Sequence, residues 1–154
     1  MSTEPWRLRP AQPDDHAAMM AVVDDWWGKP MQALLPRLFL DHFHRTSLVA
    51  ETGDGQMVGF LVGFLSPSEP DQAHVHFVAV DPDRRGVGLA RTLYETFFAL
   101  AETDGRTEVH AITGAANDVS VAFHRSMGFV VSDPIPDYDH PGHLAIHFTR
   151  PLSS

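Results

Sequence analysis

The chain has 154 residues, 44% of them hydrophobic and 20% charged, and carries a formal net charge of −9. That length and balance fit one soluble domain, 1–154, with a true hydrophobic core, and exclude a disordered chain. The negative charge argues against nucleic-acid and anionic-membrane partners. The absence of cysteine excludes disulfides, thiolate metal sites and a cysteine nucleophile.

In chain order, Trp6 to Arg9 reads as a short strand ended by Pro10. Asp14-Asp15 can cap a helix through Met19, Met20, Val22 and Val23, apolar at helical spacing, until Gly28-Lys29-Pro30 breaks it. A second helix is expected from about Gln32 to Phe43, with Pro36 moving its start toward Leu35. Ser47–Glu51 and Gln56–Leu65 form a hairpin around the turn Thr52-Gly53-Asp54-Gly55. His74–Val80 is a further strand. Gly88–Thr103 is the strongest helix, with Leu89, Leu93, Phe97 and Leu100 in one stripe. Thr107–Ile112 is a strand, Asp118–Met127 a helix closed by Gly128, and Phe129–Val131 and His143–Phe148 are the last strands. Pro134 to Gly142 reads as a stiff polar loop. The expected fold is α/β (α+β): a single mixed central sheet of six or seven strands with helices on both faces. His74–Val80 and Thr107–Ile112 flank one helix and are expected to be parallel neighbours. The opening residues lack the pattern of a signal peptide. The longest apolar stretch, Met57–Leu65, is far short of the ~20 residues that span a bilayer. The expected location is the cytoplasm.

The chemistry-bearing segment is Val78-Ala79-Val80-Asp81-Pro82-Asp83-Arg84-Arg85-Gly86-Val87-Gly88-Leu89-Ala90. A strand ends, a glycine-bearing turn follows, and a long helix begins. Amides at a helix start lie at the positive end of the dipole and suit a phosphate. Gly86 and Gly88 let that backbone approach a bulky diphosphate, and Arg84 and Arg85 add charge. A plain strand-to-helix turn with solvated arginines is the alternative. The dinucleotide fingerprint fails, because Arg91 stands at its third glycine position.

Arg85-x-x-Gly88-x-Ala90 resembles the GNAT N-acetyltransferase signature (Gln or Arg)-x-x-Gly-x-(Gly or Ala). Val80-Asp81-Pro82, Leu93-Tyr94, the distal Asn117…Phe123-His124…Gly128-Phe129 and the opening Leu8-Arg9-Pro10-Ala11 also look like that family. The resemblance runs over nearly the whole chain in order. It implies acetyl-CoA as co-substrate and a primary amine of a small molecule or peptide as acceptor; no metal is expected, because the histidine pairs lack a third ligand. Splayed parallel strands would admit the pantetheine arm, with Val78, Ala79 and Val80 along it. Arg85, Gly86, Val87, Gly88, Leu89 and Ala90 would take the pyrophosphate, with Asn117 and Phe123 near the arm. Asn117 is equally a helix cap. The alternative is a non-catalytic acyl-CoA-binding sensor or scaffold, and many members dimerise, so His143–Phe148 is a candidate dimer edge.

Amine attack on the thioester requires a neutral amine and a proton for the thiolate. Where the family often has a tyrosine acid, this chain has His124, which can serve as that acid or merely pack. His74 and His76, on one face of their strand, are candidate bases or a polar sheet face; His110 shares that ambiguity. His42/His44 and His74/His76 resemble metal pairs without a third ligand. Trp26 and Trp27, beside Asp24-Asp25, can seat a cationic acceptor or contribute to the core. Tyr138 is an alternative proton donor.

Overall fold

The computed structural model describes residues 6–152. Among them, four α-helices and eight strands follow in the order β1 Arg7–Pro10, α1 Asp15–Trp27, α2 Arg37–Phe43, β2 Leu48–Glu51, β3 Met57–Leu65, β4 Gln72–Val80, α3 Leu89–Thr103, β5 Glu108–Gly114, α4 Asp118–Ser126, β6 Val130–Val131, β7 Ile135–Pro136 and β8 Leu144–Pro151. The strands form one mixed sheet in the order β1-β2-β3-β4-β5-β8-β6, with β7 also on β8. β4 and β5 are parallel, paired from Gln72–Glu108 to Val75–Ala111. The eighth strand is the two-residue β7, inside the segment expected to be loop; two residues, one of them proline, give no alternation to read. No helix among the described residues is long and apolar enough to cross a membrane.

The chain divides into two compact units. The first contains the described residues up to Phe64 together with His76–Leu100. Its core joins Met19, Val23 and Trp26 of α1 to Leu35, Leu40, Val49, Phe60, Val62, Phe77 and Ala79. Each of the Val, Leu, Met and Phe side chains contributes on the order of 1.5–3 kcal/mol by leaving water. Arg9 on β1 binds both carboxylate oxygens of Asp15 at 2.9 Å and Glu51 at 3.1 Å. One guanidinium thus ties β1 to the start of α1 and to β2. The second helix begins later than its apolar pattern suggests. Gln32–Leu34 is a single 3-10 turn, and Pro36, extended at φ −60° and ψ 149°, stands before Arg37. Proline forces the preceding residue out of helical geometry, so the two segments cannot fuse.

Gly59 on β3 sets how closely α3 packs. A Cβ there would lie 3.1 Å from Leu89 Cδ2, 3.4 Å from the Ala79 carbonyl and 3.5 Å from Leu93 Cδ1. The first turn of α3 therefore rests directly on strand backbone.

The second unit contains Leu65–Val75 and the residues from Ala101 on. Arg106 donates to the carbonyls of Ser66, Glu69 and Gln72 at 2.8, 3.2 and 3.1 Å and fixes the start of β4. β8 pairs with β5 on one side and with β6 and β7 on the other. The candidate dimer edge His143–Phe148 is corrected on this point: its backbone is already paired on both sides, and it offers no open edge.

Gly59→Val is expected to lower stability by about 1–3 kcal/mol through overpacking against Leu89 and Leu93. Urea denaturation reads this as a lower midpoint; an unchanged midpoint contradicts the close approach of α3.

Candidate active site

The first unit holds Trp26, Trp27, His76 and the segment Val78–Ala90; the second holds His74, Asn117, Phe123, His124 and Tyr138. Strand alternation places Ala73, Val75, Phe77 and Ala79 inside, and Gln72, His74, His76 and Val78 half-buried on the opposite face of β4. Trp27 Nε1–H donates to the Val78 carbonyl at 3.1 Å, and its ring lies 5.3 Å from that of Phe77. A carbonyl has a second lone pair, so Val78 keeps capacity to accept another bond.

After β4, one 3-10 turn, Pro82–Arg84, is capped by Asp81 Oδ1, which accepts from the Asp83 amide at 3.0 Å. Residues Arg85 to Gly88 are exposed. Gly86 and Gly88 have φ of 82° and 86°, the left-handed region that an L side chain occupies only with strain. A Cβ at either would meet nothing within 4 Å. The space is open, so the glycines answer to backbone shape and not to crowding within the protein. α3 then starts, with Thr92 donating through its amide and its hydroxyl to the Gly88 carbonyl at 3.0 and 2.9 Å. Its first turn has no acidic side chain, unlike α1 with Asp15 and α4 with Asp118. The positive end of the α3 dipole thus carries no first-turn carboxylate of its own. Arg85 donates to the Trp26 carbonyl at 2.6 Å. Part of its guanidinium holds the turn against the end of α1, a role the spacing does not reveal.

Of the tryptophan pair, Trp26 is the core member, buried against Phe60. Trp27 is half-buried, and Lys29 Nζ sits 5.8 Å from its ring centroid. The cation seat expected for an acceptor is thus already faced by the chain's own lysine. Asp24 is engaged as well: its Oδ1 accepts from the Met31 and Gln32 amides at 2.7 and 3.2 Å.

The histidines differ sharply in environment. His76 Nε2 lies 2.6 Å from the Leu34 carbonyl, and its ring stacks on Phe39 at 4.1 Å. A carbonyl only accepts, so Nε2 carries the proton and Nδ1 is the acceptor. Burial lowers its pKa, partly offset by the bond to Leu34. His74 pairs with His110 in register, and their rings lie 5.3 Å apart. His110 Nδ1 meets His147 Nε2 at 3.1 Å, and its Nε2 meets Glu108 Oε1 at 3.2 Å. Three strands therefore contribute a row of imidazoles. Burial, followed by the charges of His110 and His147, lowers the pKa of His74 to about 4. Burial, then His110, also lowers that of His147.

His124 is buried on α4. Its ring stacks on Phe148 at 4.0 Å and meets the edge of Phe129 at 5.0 Å. Nδ1 lies 2.8 Å from the Ser120 carbonyl, so in the neutral ring Nδ1 holds the proton and Nε2 is an acceptor. Burial lowers its pKa, against the opposing effect of the Ser120 bond. Both readings of His124 given by the sequence, acid or packing residue, therefore start from a ring that is stacked in an aromatic cluster and engaged at Nδ1. Asn117 caps α4 by accepting from the Ser120 amide at 3.1 Å, and its Nδ2 reaches Thr113 Oγ1 at 3.4 Å. Phe123 is half-buried, its ring edge-on to His124 at 5.6 Å. Tyr138 is exposed, between β7 and β8.

The model of the acetyltransferase (GNAT) family matches residues 5–129. The L-2,4-diaminobutyric acid acetyltransferase of Nocardia farcinica is 35% identical over 85 residues, which is 55% of this chain and 44% of that protein. The chain thus spans less than half the length of that relative. In fold it is similar to Ard1 from Thermoplasma volcanium, with a TM-score of 0.82, 22% identity, and 98% of this chain and 100% of that chain covered. It is also similar to yncA from Salmonella typhimurium, a structure containing its cofactor acetyl-CoA. There the TM-score is 0.74 and the identity 19%, over 98% of this chain and 96% of that one.

The His74 ring, faced by Gln72, His110, His147 and, through His110, Glu108, is expected to titrate at about 4 by NMR. A folded pKa below the reference ~6.5 means that the unfolded chain binds the proton more tightly. Stability is therefore undiminished above about pH 6.5 and falls as the pH drops from there toward 4. A His74 midpoint at or above the reference value contradicts the buried row.

Proposed function

The chain belongs to the GNAT acetyltransferase family, and from that premise we propose that it is an N-acetyltransferase. It moves an acetyl group from acetyl-CoA to a primary amine of a small molecule by direct attack. The observation that carries this reading is the exposed turn Arg85–Gly88, with its two left-handed glycines ahead of an α3 first turn free of acidic side chains. First-turn amides of Leu89 and Ala90, with Gly86, Val87 and Gly88, would bind the pyrophosphate. Arg85 would hold the turn in place through Trp26. Backbone of Val78, Ala79 and Val80 would run beside the pantetheine arm and polarise the thioester carbonyl, while Trp27 fixes Val78 from the side. Asn117 and Phe123 remain candidate contacts to the arm.

Most of the rate enhancement in this scheme comes from positioning. His74 is a poor base: with a pKa of about 4, taking a proton from an alkylammonium of pKa ~10 is disfavoured by about six orders of magnitude. His76 is the better candidate, because its Nε2–H is spent on Leu34 and its Nδ1 can accept from water or from the amine. The departing thiolate takes its proton from solvent or from the exposed Tyr138. The net charge of −9 favours a cationic acceptor. The name of the Nocardia relative puts L-2,4-diaminobutyric acid first among amines to try. The family match across 5–129 includes residues of both units, which supports one catalytic domain; the location proposed for it is the cytoplasm.

Thiol release from acetyl-CoA is the test, run over a panel of diamines, amino acids and peptides. Amine-dependent release is expected, and Gly88→Trp should weaken acetyl-CoA binding by about two orders of magnitude or more by filling the anion's place. Binding without release across the panel overturns the enzyme reading in favour of a sensor or scaffold; no binding overturns the turn assignment. His124→Phe should keep turnover within about threefold of wild type, since an apolar ring suits the aromatic stack. A loss of a hundredfold or more at unchanged acetyl-CoA affinity would identify His124 as the acid.

A further inference from the structure

The segment between β7 and β8 brings three side chains together outside the machinery described above. Among the described residues, Asp139, His140 and His143 are the group of three or more potential metal ligands whose donor atoms lie within 4.8 Å of one another. Asp139 Oδ1 is 2.8 Å from His143 Nδ1 and 3.3 Å from His140 Nδ1. The two imidazole rings stack at 4.4 Å. The pairs His42/His44 and His74/His76 are not part of any such group.

The turn that presents these atoms is well defined. β7 and β8 pair at Ile135–Ala145 and Pro136–Leu144. The Asp137 amide closes the turn on the His143 carbonyl at 2.9 Å. Asp137 takes a left-handed φ of 58°, and its Oδ1 accepts from the Gly142 amide at 2.7 Å. That bond accounts for a strained residue at this point. His143 is further held by its neighbour on β5: a Cβ on Gly114 would lie 3.3 Å from His143 Nε2.

We propose that Asp139, His140 and His143 form a binding site for one divalent transition-metal ion of the zinc class. Ligand atoms around a tetrahedral zinc with bonds of ~2.0–2.1 Å stand roughly 3.3–3.4 Å apart. The His140–Asp139 distance of 3.3 Å already matches that value, and the His143–Asp139 distance of 2.8 Å is a hydrogen bond that would lengthen on binding. Two imidazoles and one carboxylate suit Zn²⁺, Ni²⁺ or Cu²⁺ over Mg²⁺ or Ca²⁺, which prefer all-oxygen shells. On binding, the Nδ1–H bonds to Asp139 give way, and each neutral ring moves its proton to Nε2. The fourth position is open to water or to a ligand from solution. Asp133 and Asp137 add negative charge to the same segment and favour a cation. The ion would clamp the two arms of the turn beside Tyr138. This inference does not depend on the acetyltransferase reading.

The test is calorimetric titration of the tag-free chain with zinc chloride, with melting temperature followed in parallel. One ion per chain is expected, with a rise in melting temperature on binding. His140→Ala, His143→Ala and Asp139→Asn should each weaken binding at least tenfold, and His42→Ala should leave it unchanged. Cobalt(II), as a second probe, should give the visible absorption of a low-symmetry nitrogen–oxygen site in wild type and lose it in His143→Ala. These residues are exposed or half-buried, so the variants should fold, which circular dichroism checks; Asp139→Asn keeps the side-chain shape in any case. Absence of zinc binding, or equal binding by wild type and all three variants, overturns the proposal.

Discussion

The close approach of α3 to the sheet is the constraint on which the candidate site depends. Gly59 has no side chain at the point on β3 that Leu89 and Leu93 approach, beside the Ala79 carbonyl. That contact fixes where the first turn of α3 begins relative to the end of β4. The eight residues between them then have to reverse direction, with Gly86 and Gly88 in left-handed conformations. The outcome is an exposed glycine turn at the positive end of a fifteen-residue helix. Arg85 and Trp27 reinforce the arrangement from α1, through the Trp26 and Val78 carbonyls. The proposed anion site would thus be made of backbone, with Arg85 and Trp27 bracing the segments on either side of it.

The electrostatics of the histidines follow from the same economy of water. Rings turned into the sheet or into aromatic stacks lose solvent, and the neutral form wins. His74 and His124 both stand in this condition. Such rings gain little from the proton that a solvated imidazole would take up. His76 differs in that the proton on Nε2 is committed to Leu34, which fixes its tautomer without a charged partner.

Local features were legible in the sequence. The period-two pattern of β4, the stripe of α3, the hairpin around Thr52–Gly55 and the glycine turn all depend on neighbours within a few residues, and each stands where the pattern puts it. The interruption at Pro36 was legible for the same reason. Features set by packing were not. Trp26 and Trp27 are adjacent on one helix, about 100° apart around its axis, and only the docking of α1 decides that Trp26 enters the core. The burial of His124 depends on Phe129 and Phe148, which lie beyond its own helix. Gly59 carried a usable signal, since glycine inside a strand often marks close backbone approach. The Asp139–His140–His143 group carried one too, in its short spacing, but its convergence depends on a turn with a left-handed aspartate. β7 is too short to show any pattern.

Amide chemical shifts of the ¹⁵N-labelled chain during titration with acetyl-CoA test the central claim most directly. The largest changes are expected on Gly86, Val87, Gly88, Leu89 and Ala90, with further changes along Val78–Val80. Saturable binding that leaves those amides unmoved, or no binding at all, would contradict it.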